Sequence, residues 1–161
     1  MTNLKKAGAF LLTILLGLTT FSCSDEDTAT TLEMTPQQTL ESTPWETTNA
    51  KNNNGESIAL DNVNVSNFVG YAYFKSNGKF TMYNLDNSPK MQGDWSISAD
   101  GKQRTIIAKN PETGATMFTR VVDITVLTSK EFTYRIYPNA DDRQVYFDII
   151  HTPTKHPEPK Q

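Results

Sequence analysis

The sequence predicts an all-β fold, a small eight-stranded up-and-down antiparallel barrel, and three observations predict it. Apolar and polar residues alternate with period two along the later segments, as in Phe132, Tyr134 and Ile136 against Thr133 and Arg135, which puts one strand face on a core and the other in water. Every proline from Pro36 to Pro159 falls outside the stretches rich in β-branched and aromatic residues, so those stretches can donate their N–H groups to a sheet. Short turn signals separate eight such stretches. Eight antiparallel strands leave two exposed edges unless the sheet closes, and eight is the count at which a barrel fills with side chains or holds one small ligand.

Taken in order, the chain opens with Lys5-Lys6, an apolar run from Ala7 to Leu18, and Ser22 just before Cys23. This is a secretory signal over residues 1–22, because the apolar run is too short to span a ~30 Å hydrocarbon core. Cys23 is the only cysteine of the chain. It has no disulfide partner, and Ser22-Cys23 resembles the lipobox of bacterial lipoproteins, which implies cleavage before Cys23 and its lipidation. Several acyl chains on one residue bury enough methylenes for stable anchoring. Ser24-Asp25-Glu26-Asp27 resembles the acidic export signal of Bacteroidetes-type lipoproteins, implying an outer-membrane location facing the cell surface or the periplasm. Residues 23–42 are rich in Thr, Ser, Gln, Glu and Asp, the composition of a flexible polar tether.

Strands are expected at 43–50, 67–75, 79–85, 92–98, 103–109, 116–127, 131–137 and 144–151. Asn54-Gly55, Asn77-Gly78 and Asp100-Gly101 reach positive φ cheaply and favour tight hairpins. In the sixth strand Phe118, Arg120, Val122, Ile124 and Val126 share a face, and a buried arginine is costly unless paired or stacked. Arg120 is therefore expected at an open barrel end, or stacked on an aromatic such as Trp45 or Trp95. The domain ends near residue 151, leaving a Pro-rich tail over 152–161. The runner-up fold is an immunoglobulin-like β-sandwich, but nearest-neighbour hairpins throughout favour the barrel.

The segment Tyr73-Phe74-Lys75-Ser76-Asn77-Gly78-Lys79-Phe80, followed by Gly93-Asp94-Trp95-Ser96-Ile97 and Asp100-Gly101-Lys102, resembles the repeating pattern of lipocalin-like domains in bacterial lipoproteins, whose function is unassigned. The resemblance covers about residues 43 to 151. Lipocalins proper carry Gly-x-Trp on the first strand, whereas here that strand opens Thr43-Pro44-Trp45 and the Gly-x-Trp lies mid-chain.

The net charge is −3, and the signal contains two of the 15 basic residues and none of the 18 acidic ones. The mature chain is thus acidic, with no nucleic-acid footprint. An enzyme is not expected: no nucleophile and base can be named, and no phosphate-cradling glycine loop or Gly-x-Ser-x-Gly elbow occurs. No cofactor motif is present. His151 and His156 are five residues apart at the end of the last strand and in the tail, the wrong spacing for a preformed metal site, and they read as solvent-exposed. Asp61-Asn62-Val63-Asn64-Val65 lacks the Gly and distal Glu of a calcium loop. What remains is aromatic content. Tyr71, Tyr73, Trp95, Arg120 and Tyr134 are the candidate ligand-binding residues, lining a shallow pocket for a small apolar or glycan ligand. The alternative is an interaction protein with a filled barrel that serves an envelope partner. A cavity of ~300 Å³ or more favours the first, and a core filled by Trp95, Phe132 and Phe147 favours the second.

Overall fold

The computed structural model describes residues 33 to 160. The predicted signal peptide, Cys23 and the start of the tether lie outside the described residues. The chain enters through α1 (Pro36–Glu41), whose start is written in Thr35-Pro36-Gln37-Gln38: the Thr35 hydroxyl accepts from the Gln38 N–H, and the Gln38 side chain accepts from the Thr35 N–H. This capping box satisfies two otherwise orphaned donors, and Pro36 at the first helical position loses no hydrogen bond. The polar composition of residues 23–42 predicts a tether, yet Leu40 is fully buried. The packed structure thus begins before residue 42.

Nine strands follow: β1 (Trp45–Asn52), β2 (Ser57–Ile58), β3 (Tyr71–Phe74), β4 (Lys79–Tyr83), β5 (Pro89–Ile97), β6 (Gln103–Lys109), β7 (Thr116–Leu127), β8 (Phe132–Ile136) and β9 (Phe147–Pro153). From β3 to β9 each strand pairs antiparallel with the next, and β9 pairs with β1 from Trp45↔Pro153 to Asn52↔Phe147. That seam closes eight strands into a barrel, which settles the choice against a sandwich. The two-residue β2 lies outside the barrel count. It pairs with β1 at Ala50 and Lys51, beyond the point where β1 has finished pairing with β3 at Trp45 and Glu46. Gly55, Gly78 and Gly101 all have φ between 72° and 80°, as the Asn-Gly and Asp-Gly turns require. This closed unit has its own core and pairs its barrel strands all round, so it folds on its own.

Gly93 shows why the Gly-x-Trp motif needs its glycine. It lies where β5 approaches β6 so closely that an added Cβ would fall 1.9 Å from the Ile107 carbonyl oxygen, a position only glycine can occupy. Two residues on, Trp95 points inward and its indole N–H donates to the Lys75 carbonyl at 3.0 Å, tying β5 to the β3–β4 turn.

The two barrel ends are built differently. At one, α1 is a plug: the Trp45 indole donates to the Leu40 carbonyl at 2.9 Å, and Trp45, Phe74, Trp95 and Phe132 pack edge-on or tilted with centroids 4.9 to 6.1 Å apart. At the other, segment 59–69 crosses the end without regular strand structure. Val65 is fully buried, and the Thr47 hydroxyl donates to the Phe68 carbonyl.

Residues 154–160 form a strap along the outer face of β3 and β4. His156 stacks on Tyr71 at 4.0 Å and hydrogen-bonds the Tyr73 hydroxyl through Nδ1 at 2.8 Å. Glu158 pairs with Lys75 and accepts from Thr81, and the Tyr83 hydroxyl donates to the Pro159 carbonyl. Sequence reasoning places both histidines in solvent. The structure corrects this: His156 is half-buried in the strap, and His151 is a core residue at 1 % exposure.

A candidate binding site at the barrel mouth

Strand alternation decides which side chains reach the site. On β4 through β7 the inward positions near the open end are Met82, Met91, Ala108 and Phe118, and they wall a cleft of about 530 Å³ with Met117 at its rim and Lys90 beside them. The size suits a small molecule. Methionine gives the wall a flexible, polarizable surface that adapts to an apolar guest. A second cleft of about 470 Å³ opens where β7 and β8 part company, because their pairing ends at Asp123↔Arg135 while β7 runs on to Thr116. Phe68, Arg120, Val122 and Ile136 line it, with Arg143 at the rim.

Arg120 lines the second cleft and packs against Phe118, a wall of the first. Its guanidinium carbon lies 4.9 Å from the Phe68 ring centroid and 5.1 Å from that of Phe118, so the expected aromatic stacking occurs, though on these rings rather than on Trp45 or Trp95. Lys90 reaches the same region, its ammonium donating to the Val69 carbonyl at 2.5 Å. Burial, and secondarily the Arg120 charge, hold the Lys90 ammonium below the usual lysine range.

Deeper in the barrel, Arg104 is 2 % exposed and lies over Tyr134 at 4.5 Å, Phe132 at 5.5 Å and Phe74 at 5.7 Å. Its Nε and Nη1 have no hydrogen-bond partner. Cation–π contacts offset part of the cost of burying a guanidinium, but they do not replace its hydrogen bonds. Burial lowers the Arg104 pKa from its ordinary value and raises that of the Tyr134 phenol. His151 stacks on Tyr134 and donates from Nδ1 to the Phe132 carbonyl. Burial, reinforced by the Arg104 charge, depresses its pKa to about 3, so it is a neutral ring at physiological pH.

The five candidate residues therefore divide. Trp95, Tyr134 and Arg120 face the interior, but Trp95 and Tyr134 are packed into the core and only Arg120 meets a cleft. Tyr71 and Tyr73 are on the opposite, outer face of β3 and lie under the C-terminal strap, so the structure does not bring the five together. The alternation Ala72, Phe74 against Tyr71, Tyr73 carries this outcome, since only one of the two sets can face inward. Arg104 and Lys90 were not singled out by sequence reasoning. Arg104 shares a face with Ile106 and Ala108, the same signal that exposes Arg120, whereas nothing in the sequence marks Lys90. Among the described residues no group of three or more His, Cys, Asp or Glu side chains could hold a metal ion.

Comparison with known proteins gives two findings. A family model described as "Domain of unknown function (DUF4822)" matches residues 37–161. Among solved structures, a lipocalin-like protein from Bacteroides uniformis ATCC 8492 is similar, with 14% identity and a TM-score of 0.45, over 70% of this chain and 96% of that one. No curated protein matches.

Proposed function

Starting from the fact that this chain belongs to the DUF4822 family, we propose that it is a non-catalytic binding module that takes the apolar part of a small ligand into the mouth of its lipocalin-like barrel. The observation that carries this reading is the Met82–Met91–Phe118 cleft of about 530 Å³. The barrel centre itself is filled by Trp95, Phe132, Tyr134 and their neighbours, so the ligand sits at the end of the barrel and not along its axis. Filling of the centre is what the alternative of a structural envelope protein requires, but that alternative gives no role to an apolar cleft at one end. A glycan ligand is less well served, because sugars need exposed aromatic faces and Tyr71 is already stacked on His156.

The test is saturable binding of an uncharged fluorescent apolar probe, N-phenyl-1-naphthylamine, to the chain from Glu33 onward, with native mass spectrometry to find any co-purifying ligand. One-site binding that is lost on Met91→Lys supports the reading, and absence of saturable binding overturns it.

The location is part of the same proposal: an outer-membrane lipoprotein, anchored through acylated Cys23. Cys23→Ser should move the protein from the membrane to the soluble fraction and abolish acyl labelling. Persistence in the membrane fraction would refute the anchor, and protease shaving of intact cells reads its orientation.

A further inference from the structure

Lys90 and Arg120 stand at the mouth, Arg104 is buried deeper in the barrel, and among the described residues no carboxylate answers any of the three. Arg104 has two buried N–H-bearing nitrogens with no acceptor. Arg120, half-buried between Phe68 and Phe118, has no hydrogen bond and no ion pair among the described residues, only its two aromatic faces. Lys90 spends its ammonium on backbone carbonyls of segment 66–69. Other strand cations do meet carboxylates: Arg135 is forked onto Asp148, Arg143 reaches Asp123, and Asp94 takes both Lys79 and Lys109.

Desolvated cations without counter-charges are costly to keep. Inner cations that have no carboxylate partner leave room for an anion from outside. Phe118 connects the pieces, since it touches Arg120 on one side and walls the apolar cleft on the other. A planar guanidinium recognises a carboxylate through two parallel N–H···O bonds, and one half-buried arginine with apolar neighbours suits a single negative charge.

Resting on the binding-module reading above, we propose that the ligand is a carboxylate-headed amphiphile: its head meets Arg120, with Arg104 and Lys90 supplying positive potential behind it, and its apolar chain lies in the Met82–Met91–Phe118 cleft. Aromatic stacking holds the Arg120 guanidinium in place before the ligand arrives. The site is therefore organised in advance, and ordering it on binding costs little.

The experiment is isothermal titration of the chain from Glu33 onward with dodecanoate and with dodecanol, which share an apolar chain and differ in the head. Dodecanoate should bind about tenfold more tightly or better, the scale of a charge-assisted hydrogen bond. Arg120→Gln should erase that preference, so that the two probes bind alike. Lys79→Gln, outside both clefts and already paired with Asp94, should leave the preference intact, and circular dichroism confirms that each variant is folded. Equal binding of the two probes, or a preference that survives Arg120→Gln, overturns the carboxylate site and leaves the apolar cleft standing. Failure of both probes to bind overturns the cleft reading and the head-group site together.

Discussion

The plugged end and the mouth of this barrel are made of the same strands and behave as different materials. At the plug, rigid aromatics interlock and both indole N–H groups find carbonyls, Trp45 on Leu40 and Trp95 on Lys75. At the mouth, methionines line the wall, an irregular segment replaces the helix, and Arg120 has aromatic faces but no counter-charge. The difference teaches where each kind of free energy is invested: close packing stabilises one end, and the other retains the unsatisfied groups that a ligand can satisfy. Low local stability at a binding region is the usual arrangement, since such regions must admit and release their guests.

Mutations at the two ends should break this comparison if it is wrong. Trp45→Ala removes the fully buried indole that ties α1 to the barrel. It should cost about 3–5 kcal/mol in denaturant unfolding while leaving the mouth intact enough for probe affinity to change little in the fraction that is folded. The pH dependence of stability gives the next largest effect. The His151 pKa falls from 6.5 to about 3 on folding, so between those values the unfolded chain binds the extra proton and stability declines as pH falls. Between pH 7 and pH 5 this loss is about 2 kcal/mol, and His151→Phe should flatten it; an unchanged slope would show that another group is responsible. At the mouth, Phe118→Ala should cost only about 1 kcal/mol, because the ring is only partly buried, yet abolish probe binding. A variant that lost stability like Trp45→Ala but kept its affinity would reverse the proposed division.

Much of this was readable from the residues, and the exceptions have physical reasons. All eight barrel strands follow from alternation and turn chemistry, because a period-two pattern is local and register is pinned once one face must be buried. The helix was missed because six residues carry no period, although Thr35-Pro36-Gln37-Gln38 is a capping box with the apolar Leu40 two residues on. His151 was misplaced by its closeness to a proline-rich end, when it simply continues the alternation of Phe147 and Ile149. Tyr71 and Tyr73 misled for a different reason. An aromatic on the outward face of a strand implies a cover, and the identity of that cover, a segment some 80 residues away, is not encoded locally. The mouth was legible only through Arg120, since clefts arise where strands of unequal length diverge, and length mismatch depends on pairing that no single segment specifies.

The seam between β1 and β9 has a consequence for timing. It joins the first barrel strand to the last, so a ribosome must release nearly the whole chain before the sheet can close. Until then every intermediate is an open sheet with two unpaired edges. Folds dominated by such distant pairings form slowly, and slowness prolongs the time for which those edges stay open.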